Sequence, residues 1–83
     1  MTEEKIIKIL KNTFTEGTEG HVEVIDSNGN QDHFNILVIS DQFDGIKLIE
    51  RHRMIYAQLE ILLSNEIHAL QIKTYTKNEW KNK

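Results

Sequence analysis

The sequence predicts one α+β domain in which three strands form a mixed sheet and helices cover one face of that sheet. Helical and strand periodicities follow each other in the order αββαβα along the 83 residues. The chain contains no proline and no internal repeat, and two domains of such length would each lack a core. We therefore expect residues 1–83 to form a single domain, in which a long helix between the second and third strands allows those strands to run parallel.

The first half of the chain predicts one helix and two strands. Thr2 and the glutamates that follow it favour a helix start, and apolar residues at helical spacing extend that helix over residues 3–14. Residues 21–26 are rich in β-branched side chains and are followed by turn residues, as in a strand that leads into a hairpin. Residues 33–40 supply the second strand, which is apolar on both faces near its end, as expected of a central strand.

The second half predicts the main helix, the third strand and a short last helix. Residues 67–74 alternate well enough for a strand. Thr76 and Glu79 form the Ser/Thr-x-x-Glu pattern of a capping box, which opens a last helix carrying Trp80. The main helix begins near Lys47 and keeps one apolar face for about four turns. This face comprises Leu48, Ile49, Ile55, Tyr56, Leu59, Leu62 and Leu63.

Composition and charge exclude several classes of protein. Ten Lys and Arg stand against thirteen Asp and Glu, so the net charge of -3 gives no general attraction to a nucleic-acid backbone. Cysteine is absent, which excludes disulfides and disfavours an exported protein. The apolar runs are far shorter than the ~20 residues of a membrane span, and the N-terminus has early acids and no continuous apolar segment. We therefore expect a cytoplasmic protein that does not enter a membrane.

Four histidines are the residues that suggest metal or acid–base chemistry, although their spacing matches no zinc pattern. If the second and third strands are parallel, their beginnings meet at one edge of the sheet, which brings His33 and His68 together. His68 shares parity with Leu70 and is expected at the rim of the helix side, whereas the side of His33 is ambiguous. His52 lies near the centre of the apolar helix face, where a core histidine is the simpler interpretation. Metal ligation and a structural role both remain open for His33 and His68.

A second candidate surface lies on the back of the main helix. Met54 is placed roughly 140° from the centre of the apolar face, since each residue advances about 100°, so the core does not require it. Arg51 lies on the flank and Arg53 further round. An apolar side chain framed by cations would form a partner-binding surface, but single exposed apolar residues are also normal. The chain has no Ser-His-Asp set, Cys-His pair or glycine-rich phosphate loop, so we expect that it is not an enzyme.

Five segments of the sequence resemble, in their order, the signature of the BolA family. The most specific combination is Arg-His-Arg, followed at a fitting distance by His-Ala-Leu and then by Thr-x-x-Glu-Trp. The resemblance covers nearly the whole chain. The segments are His33-Phe34, Ser40-Asp41-Gln42-Phe43-Asp44-Gly45, Arg51-His52-Arg53-Met54-Ile55-Tyr56, Ile67-His68-Ala69-Leu70 and Thr76-Lys77-Asn78-Glu79-Trp80.

The resemblance implies a fold and a function. The fold is KH-like, of the type II order, without the nucleic-acid GxxG loop, because the GxxG at residues 17–20 joins a helix to a strand and contains Glu19. The implied function is that of a non-catalytic adaptor that partners a monothiol glutaredoxin in [2Fe-2S] cluster binding, transfer, or iron or redox sensing. In such a pair the glutaredoxin cysteine, glutathione and residues of the BolA partner hold the cluster.

The resemblance also implies ligands for that cluster. The family's C-terminal histidine ligand corresponds to His68. The second family ligand is a Cys or His between the first two strands, but residues 26–32 contain neither, and Asn30 stands about where some relatives place cysteine. His33 is the nearest substitute, and imidazole is an acceptable ligand in mixed Cys/His clusters. Since imidazoles without thiolates make an incomplete ligand set, we expect the isolated protein to bind no cluster and little zinc. We also expect it to be a monomer or a weak homodimer.

A DNA-binding transcriptional regulator of cell morphology and stress genes is the alternative that the same resemblance implies. Such a protein would use the main helix and its basic residues, and it would need a contiguous basic stripe on its surface. The acidic net charge and the missing phosphate loop weigh against this alternative.

Overall fold

The computed structural model describes residues 2–15, 20–27, 29, 33–65 and 69–83, apart from the side chain of Asn65. The elements follow the predicted order, with the main helix divided in two, and the α+β class is confirmed. They are α1 (Thr2–Phe14), β1 (His21–Asp26), β2 (His33–Ile39), a 3₁₀ turn (Asp41–Phe43), α2 (Leu48–Gln58), α3 (Glu60–Asn65), β3 (Ala69–Tyr75) and α4 (Lys77–Lys81).

Three strands form a mixed sheet in the order β1-β2-β3. β1 runs antiparallel to β2, with Val24 opposite Ile36. β2 runs parallel to β3, with His33 opposite Ala69, because the intervening helices return the chain to the edge from which β2 started. The parallel pairing that the long crossover predicts is therefore confirmed.

The core lies between one face of the sheet and the helices α1, α2 and α3. Alternate residues of each strand point into it, because successive side chains of a strand lie on opposite faces. Each large apolar side chain that is fully buried in this way stabilises the fold by about 1.5–3 kcal/mol. The buried residues are Ile6, Leu10 and Phe14 of α1, Val22 and Val24 of β1, Phe34, Ile36 and Val38 of β2, Phe43, and Ile55, Leu59 and Leu62.

The main helix departs from its predicted form in two ways. It is divided at Leu59 into α2 and α3, and the buried residues of α2 are Arg51 and Ile55 rather than the full apolar stripe. Leu48 and Tyr56, both predicted to face the core, are 62% and 42% exposed. We attribute the change to Arg51, which is turned inward by a partner on α4, a contact that helical spacing does not contain.

The helices α1–α3 cover one face of the sheet, as predicted, and α4 lies at one end of the other face. Ile39 points to that other face by strand alternation, yet it is buried, and it lines a surface depression together with Trp80 of α4. Tyr75 packs edge-to-face against Trp80 with ring centroids 5.2 Å apart. The rest of this face remains accessible, and we call it the outer face; it comprises Glu23, Ile25, Asn35, Leu37, Gln71 and Lys73.

Ser40 holds three elements together at the end of β2. Its hydroxyl donates a hydrogen bond to the carbonyl of Phe14 at 2.8 Å and accepts one from the N–H of Gln42 at 3.2 Å. Its own N–H donates to the carbonyl of Tyr75 at 2.9 Å. Because Ser40 is fully buried, these bonds satisfy polar groups that water cannot reach, and they fix the ends of α1, β2 and β3 relative to one another.

Candidate functional site

The edge of the sheet where β2 and β3 begin is the place predicted for metal ligands. His33 and Ala69, the first residues of the two strands, lie opposite each other. The carbonyl oxygen of His33 accepts hydrogen bonds from the N–H and the hydroxyl of Ser27, both at 2.9 Å. Because Phe34 is buried in the core, strand alternation places the half-buried His33 side chain on the side of the outer face, which the sequence left ambiguous.

A shallow depression of about 170 Å³ lies at this edge, between the starts of the two strands. It is open to solvent, so a group carried by another molecule can enter it. Its lining consists mainly of Ser27, His33, Asn35, Ala69, Leu70 and Gln71.

Of the two predicted histidine ligands, His33 lies within the described residues and His68 does not. His68 directly precedes Ala69 in the sequence but lies outside the described residues, so its role as a ligand stays a prediction. The parity argument assigns it to the side of Leu70, whereas His33 is on the side of the outer face. The two predicted ligands are thus assigned to opposite sides of one sheet edge. Within the described part of the chain, no group of three or more His, Cys, Asp or Glu side chains could hold a metal ion.

The loop after β1 begins with the turn chemistry that the sequence predicts. The carboxylate of Asp26 accepts a hydrogen bond from the N–H of Gly29 at 2.9 Å. Gly29 has a φ of 81°, in the left-handed region that glycine adopts without steric cost. Asn30, the position at which some family members carry cysteine, lies outside the described residues.

Arg51 is a buried residue with structural partners, which corrects its predicted place in a partner-binding surface on the helix flank. Its side chain is 7% exposed, and its two Nη atoms donate to the two carboxylate oxygens of Glu79 at 2.7 and 3.1 Å. Nε donates to the carbonyl of Ile46 at 2.7 Å. The guanidinium carbon also lies 5.7 Å from the centre of the Phe43 ring. This bidentate, charge-assisted pair fastens α2 to α4.

Glu79 connects that ion pair to the start of α4. Its Oε1 also accepts the N–H of Thr76 at 2.8 Å, and the Thr76 hydroxyl accepts the N–H of Glu79 at 3.1 Å. These reciprocal bonds are the predicted capping box. The pKa of Glu79 is lowered from its ordinary value of 4.5 to about 2. The hydrogen bond from the Arg51 guanidinium is the largest cause, and the hydrogen bond from the N–H of Thr76 is the second. The carboxylate therefore stays ionised and bound far into the acidic range.

We expect the link between Arg51 and Glu79 to weaken only in strong acid. Because folding lowers the pKa of Glu79, its stabilising effect is fully present above pH 4.5 and is lost as the pH falls towards 2. The variant Glu79→Gln lacks this titrating group. Thermal melts followed by circular dichroism should therefore show a gap in Tm between parent and variant that narrows from pH 4.5 to pH 2. A gap of constant size over this interval would contradict the role given to Glu79.

The other two residues of the predicted partner surface differ in their environments. Arg53 is 69% exposed, and its Nη1 donates to Oε1 of Glu50 on the same helix at 2.7 Å, a contact that contributes little to stability. Met54 is half-buried and packs against the core, so its predicted placement away from the core is corrected. Of the three predicted residues, Arg53 keeps the exposure that partner binding requires.

Two further exposed residues of α2 were missed because the periodicity assigned them to the core-facing stripe. Ile49 and Tyr56 are exposed, and their spacing from Arg53 places all three on one side of the helix. Large apolar side chains grouped on the surface are typical of contact sites for other proteins. We call Ile49, Arg53 and Tyr56 the α2 surface.

The element order and the mixed sheet define a KH-like α+β domain, and comparisons with known proteins narrow the assignment. The family model for BolA-like proteins matches residues 4–79. The chain therefore belongs to the BolA family. The solved structure of the BolA domain of SufE1 from Arabidopsis thaliana superposes with a TM-score of 0.82 at 32% sequence identity, and the match covers 93% of each chain.

Curated relatives match over part of their length. The chain is 46% identical over 52 residues to the DNA-binding transcriptional regulator BolA of Escherichia coli, which is 63% of this chain and 50% of that protein. It is 51% identical over 63 residues to Protein BOLA2 of Arabidopsis thaliana, which is 74% of this chain and 67% of that protein. The chain thus spans about half the length of the first curated relatives that it matches. None of the helices in the described ranges has the length and apolar character needed to cross a membrane.

Proposed function

We propose that this chain is a non-catalytic adaptor that partners a monothiol glutaredoxin in [2Fe-2S] cluster binding, transfer, or iron or redox sensing. The observation that carries the proposal is the parallel register of β2 and β3, which places His33 beside Ala69, the sequence neighbour of His68. Membership of the BolA family supports the same function. The chain would contribute imidazole to a cluster whose other ligands come from elsewhere.

The composition supports a shared cluster rather than one held by this chain alone. The 83 residues contain no cysteine, so every thiolate ligand must come from outside these residues. A glutaredoxin cysteine and the thiol of glutathione would supply them, and the open depression at the start of β2 and β3 gives a partner room to approach. Imidazole in place of thiolate would alter the electronic spectrum and the potential of the cluster, as in mixed Cys/His centres.

The two histidines have unequal parts in this proposal. His68 would be the main ligand, because it corresponds to the C-terminal histidine of the family signature. His33 would be at most a secondary ligand, because its backbone is fixed by Ser27 and its side chain is assigned to the opposite side of the sheet from His68.

The proposal is tested by mixing the purified protein with a monothiol glutaredoxin, glutathione, ferrous iron and sulfide, and by recording visible absorption and circular dichroism. We expect a spectrum that differs from that of the glutaredoxin with glutathione alone, together with a heterodimer in size-exclusion chromatography. The protein without glutaredoxin should take up no cluster and little zinc. Unchanged glutaredoxin spectra, or stoichiometric iron in the isolated protein, would argue against the adaptor function.

The α2 surface is proposed as a contact for the glutaredoxin. Reversal of charge by Arg53→Glu should leave the melting temperature nearly unchanged, because Arg53 is exposed and its pair with Glu50 lies on the surface of the same helix. The same change should weaken the apo complex, measured by isothermal titration calorimetry, by a factor of about ten if it unpairs one charge at the interface. Lys8→Glu is the matched control, since Lys8 is an exposed cation on α1. Equal affinities for the two variants would remove the α2 surface from the interface.

DNA binding is the second candidate function, and it rests on the names of relatives such as the DNA-binding transcriptional regulator BolA of Escherichia coli. The main helix is a poor candidate for the contact, because Arg51 is enclosed by Glu79 and Arg53 is paired with Glu50. Basic residues gather instead near the end of the sequence, where residues 73–83 carry four of the ten Lys and Arg. This segment borders the outer face of the sheet.

A further inference from the structure

The outer face carries polar and apolar side chains in rows across the strands. Asn35 of β2 lies beside Gln71 of β3, and Leu37 lies beside Lys73. Trp80 of α4 closes the row at one end. Together they surround a depression of about 270 Å³ whose polar and aromatic lining comprises Glu23, Asn35, Gln71, Lys73, Trp80 and Lys83.

Trp80 is held in place while part of its ring stays accessible. Its centroid lies 5.2 Å from that of Tyr75 in an edge-to-face arrangement, and the residue is 40% exposed. The capping box of α4 and the ion pair between Arg51 and Glu79 also fix the backbone position of Trp80. A tryptophan that is anchored in this way offers an apolar, π-rich surface at little cost in side-chain entropy.

The charge around Trp80 is positive although the whole chain is acidic. Residues 73–83 hold four lysines and one of the thirteen acids, Glu79, so the segment has a formal charge of +3 and the rest of the chain has -6. Glu79 is engaged by Arg51. Lys83 places its ammonium 4.8 Å from the centre of the Trp80 ring, and Lys73 lines the same depression. Lys77 is paired with Asp41 at 3.2 Å, and Glu23 lines the depression as well. Lys73 and Lys83 together outweigh Glu23, so the depression keeps a net positive charge that favours an anion.

Asn35 and Gln71, which belong to the sheet, add hydrogen-bonding side chains to the same depression. Both side chains are exposed and adjacent across the parallel pair. Amides of this kind donate and accept at once, which suits the edges of nucleobases. The outer face thus joins a stacking ring, paired amides and lysines within one depression.

We propose that the outer face binds single-stranded nucleic acid, with a base stacked on Trp80, base edges at Asn35 and Gln71, and phosphates at Lys73 and Lys83. Unpaired bases can leave their stack and lie on an aromatic ring, whereas bases in a duplex cannot. An acidic peptide would satisfy the lysines, and its backbone could bond the amides, but its carboxylate side chains offer no flat ring to stack on the indole. This proposal deepens the DNA-binding alternative by naming its surface and strandedness, and it does not rest on the cluster adaptor function.

Glu23 determines on which side of the sheet the phosphates of a bound strand would lie. It lies on β1 opposite Leu37, so it faces Lys73 across the width of the sheet and would repel phosphates on the β1 side. We therefore place the phosphates along β3 and α4. The variant Glu23→Gln should bind the same oligonucleotide more tightly than the parent does.

The test uses Trp80 as its own reporter, because it is the only tryptophan in the chain. An unlabelled 12-nucleotide oligothymidylate should quench its emission on titration at 50 mM salt. Two phosphate contacts on a single strand predict that affinity falls roughly sevenfold between 50 and 200 mM salt. Lys73→Gln should lower the affinity and reduce this salt effect to roughly 2.6-fold, as expected for one contact. Lys8→Gln, which removes an exposed lysine of α1, should leave both values unchanged.

Further arms separate this proposal from its competitors. Trp80→Ala should lower the affinity for a labelled oligonucleotide by a factor of about five or more, since one stacked base is lost. Fluorescence anisotropy measures this affinity. Lys73→Gln should leave the affinity for glutaredoxin unchanged. A negative result in the nucleic-acid titrations would therefore not contradict the adaptor function. No quenching at 50 mM salt, equal responses of Lys73→Gln and Lys8→Gln, equal affinity for a duplex of the same length, or equal affinity for polyglutamate would each overturn the proposal.

Discussion

Replacement of His68 by Ala is expected to change the cluster shared with glutaredoxin while it leaves the apo complex intact. A rim histidine contributes about 1 kcal/mol through a hydrogen bond, whereas truncation of a packed core residue costs about 2–5 kcal/mol. The variant should therefore fold and bind apo glutaredoxin. If His68 supplies the imidazole, the reconstituted variant complex will have an altered visible circular dichroism spectrum and will lose its cluster faster than the parent complex.

Two histidine variants sharpen this experiment. His33→Ala should give a smaller change of the same kind if His33 is the second ligand, and no change if glutathione or water fills that position. His21→Ala is the matched control, because His21 pairs with Ile39 at the opposite end of the sheet, where its Nε2 lies 3.5 Å from Oε2 of Glu23. A His68→Ala complex with the spectrum and cluster lifetime of the parent would show that His68 is not a ligand in this protein.

Replacement of Arg51 by Met is expected to produce the largest loss of stability among the variants considered. The change removes the bonds to Glu79 and to the Ile46 carbonyl from a side chain that is almost fully buried. Hydrogen bonds to charged groups contribute about 1.5–3 kcal/mol, so we expect a loss of about 2–3 kcal/mol. In a chain of this size such a loss lowers Tm by roughly 10 °C or more. Met keeps much of the apolar volume, so the effect reports the charge and its bonds.

The same variant has a second readout that distinguishes this link from general packing. Loss of Arg51 frees the start of α4, so the emission of Trp80 should shift to the red and become more accessible to acrylamide. The pH-dependent gap that Glu79→Gln reveals between pH 4.5 and 2 should also become smaller in the Arg51→Met background, where the Thr76 N–H alone still lowers the pKa of Glu79. Arg53→Met is the control, because exposed Arg53 should change stability by no more than about 0.5 kcal/mol. Similar melting temperatures for the two variants would contradict the role assigned to Arg51.

The parts of the fold that the sequence predicts well depend on local or periodic signals. The bounds of β1, the capping box of Thr76 and Glu79, and the parallel pairing of β2 with β3 follow from alternation, spacing and crossover length, and all three are observed. Arg51 was misplaced because its partner lies 28 residues further along the chain. Helical spacing contains no information on such a contact, so a charged residue was assigned to the surface.

The candidate sites show the same division between local and distant information. The sheet edge at His33 could be located from strand parity and a crossover alone, but which face His33 occupies depended on the burial of Phe34. Helices on one face of the sheet imply that the other face is partly open, but the depression on it could not be located from sequence, because it combines the strands with an α4 whose position depends on Arg51. Leu48, Ile49 and Tyr56 fit a helical stripe, yet they are exposed because α2 buries Arg51 and Ile55 instead.

The parallel pairing of β2 and β3 also sets an expected order of folding. β1 and β2 are neighbours in sequence, so their hairpin can close on a scale of about 1–10 μs. β3 can join only after residues 40–68 have been arranged, and the entropy of closing that long segment is lost before the strand contacts form. The sheet edge at His33 and Ala69 and the amide pair of Asn35 and Gln71 each need both strands. A chain that is trapped with β3 unpaired would therefore keep its hairpin but lack both the edge proposed for the cluster and the amide pair proposed for nucleic acid.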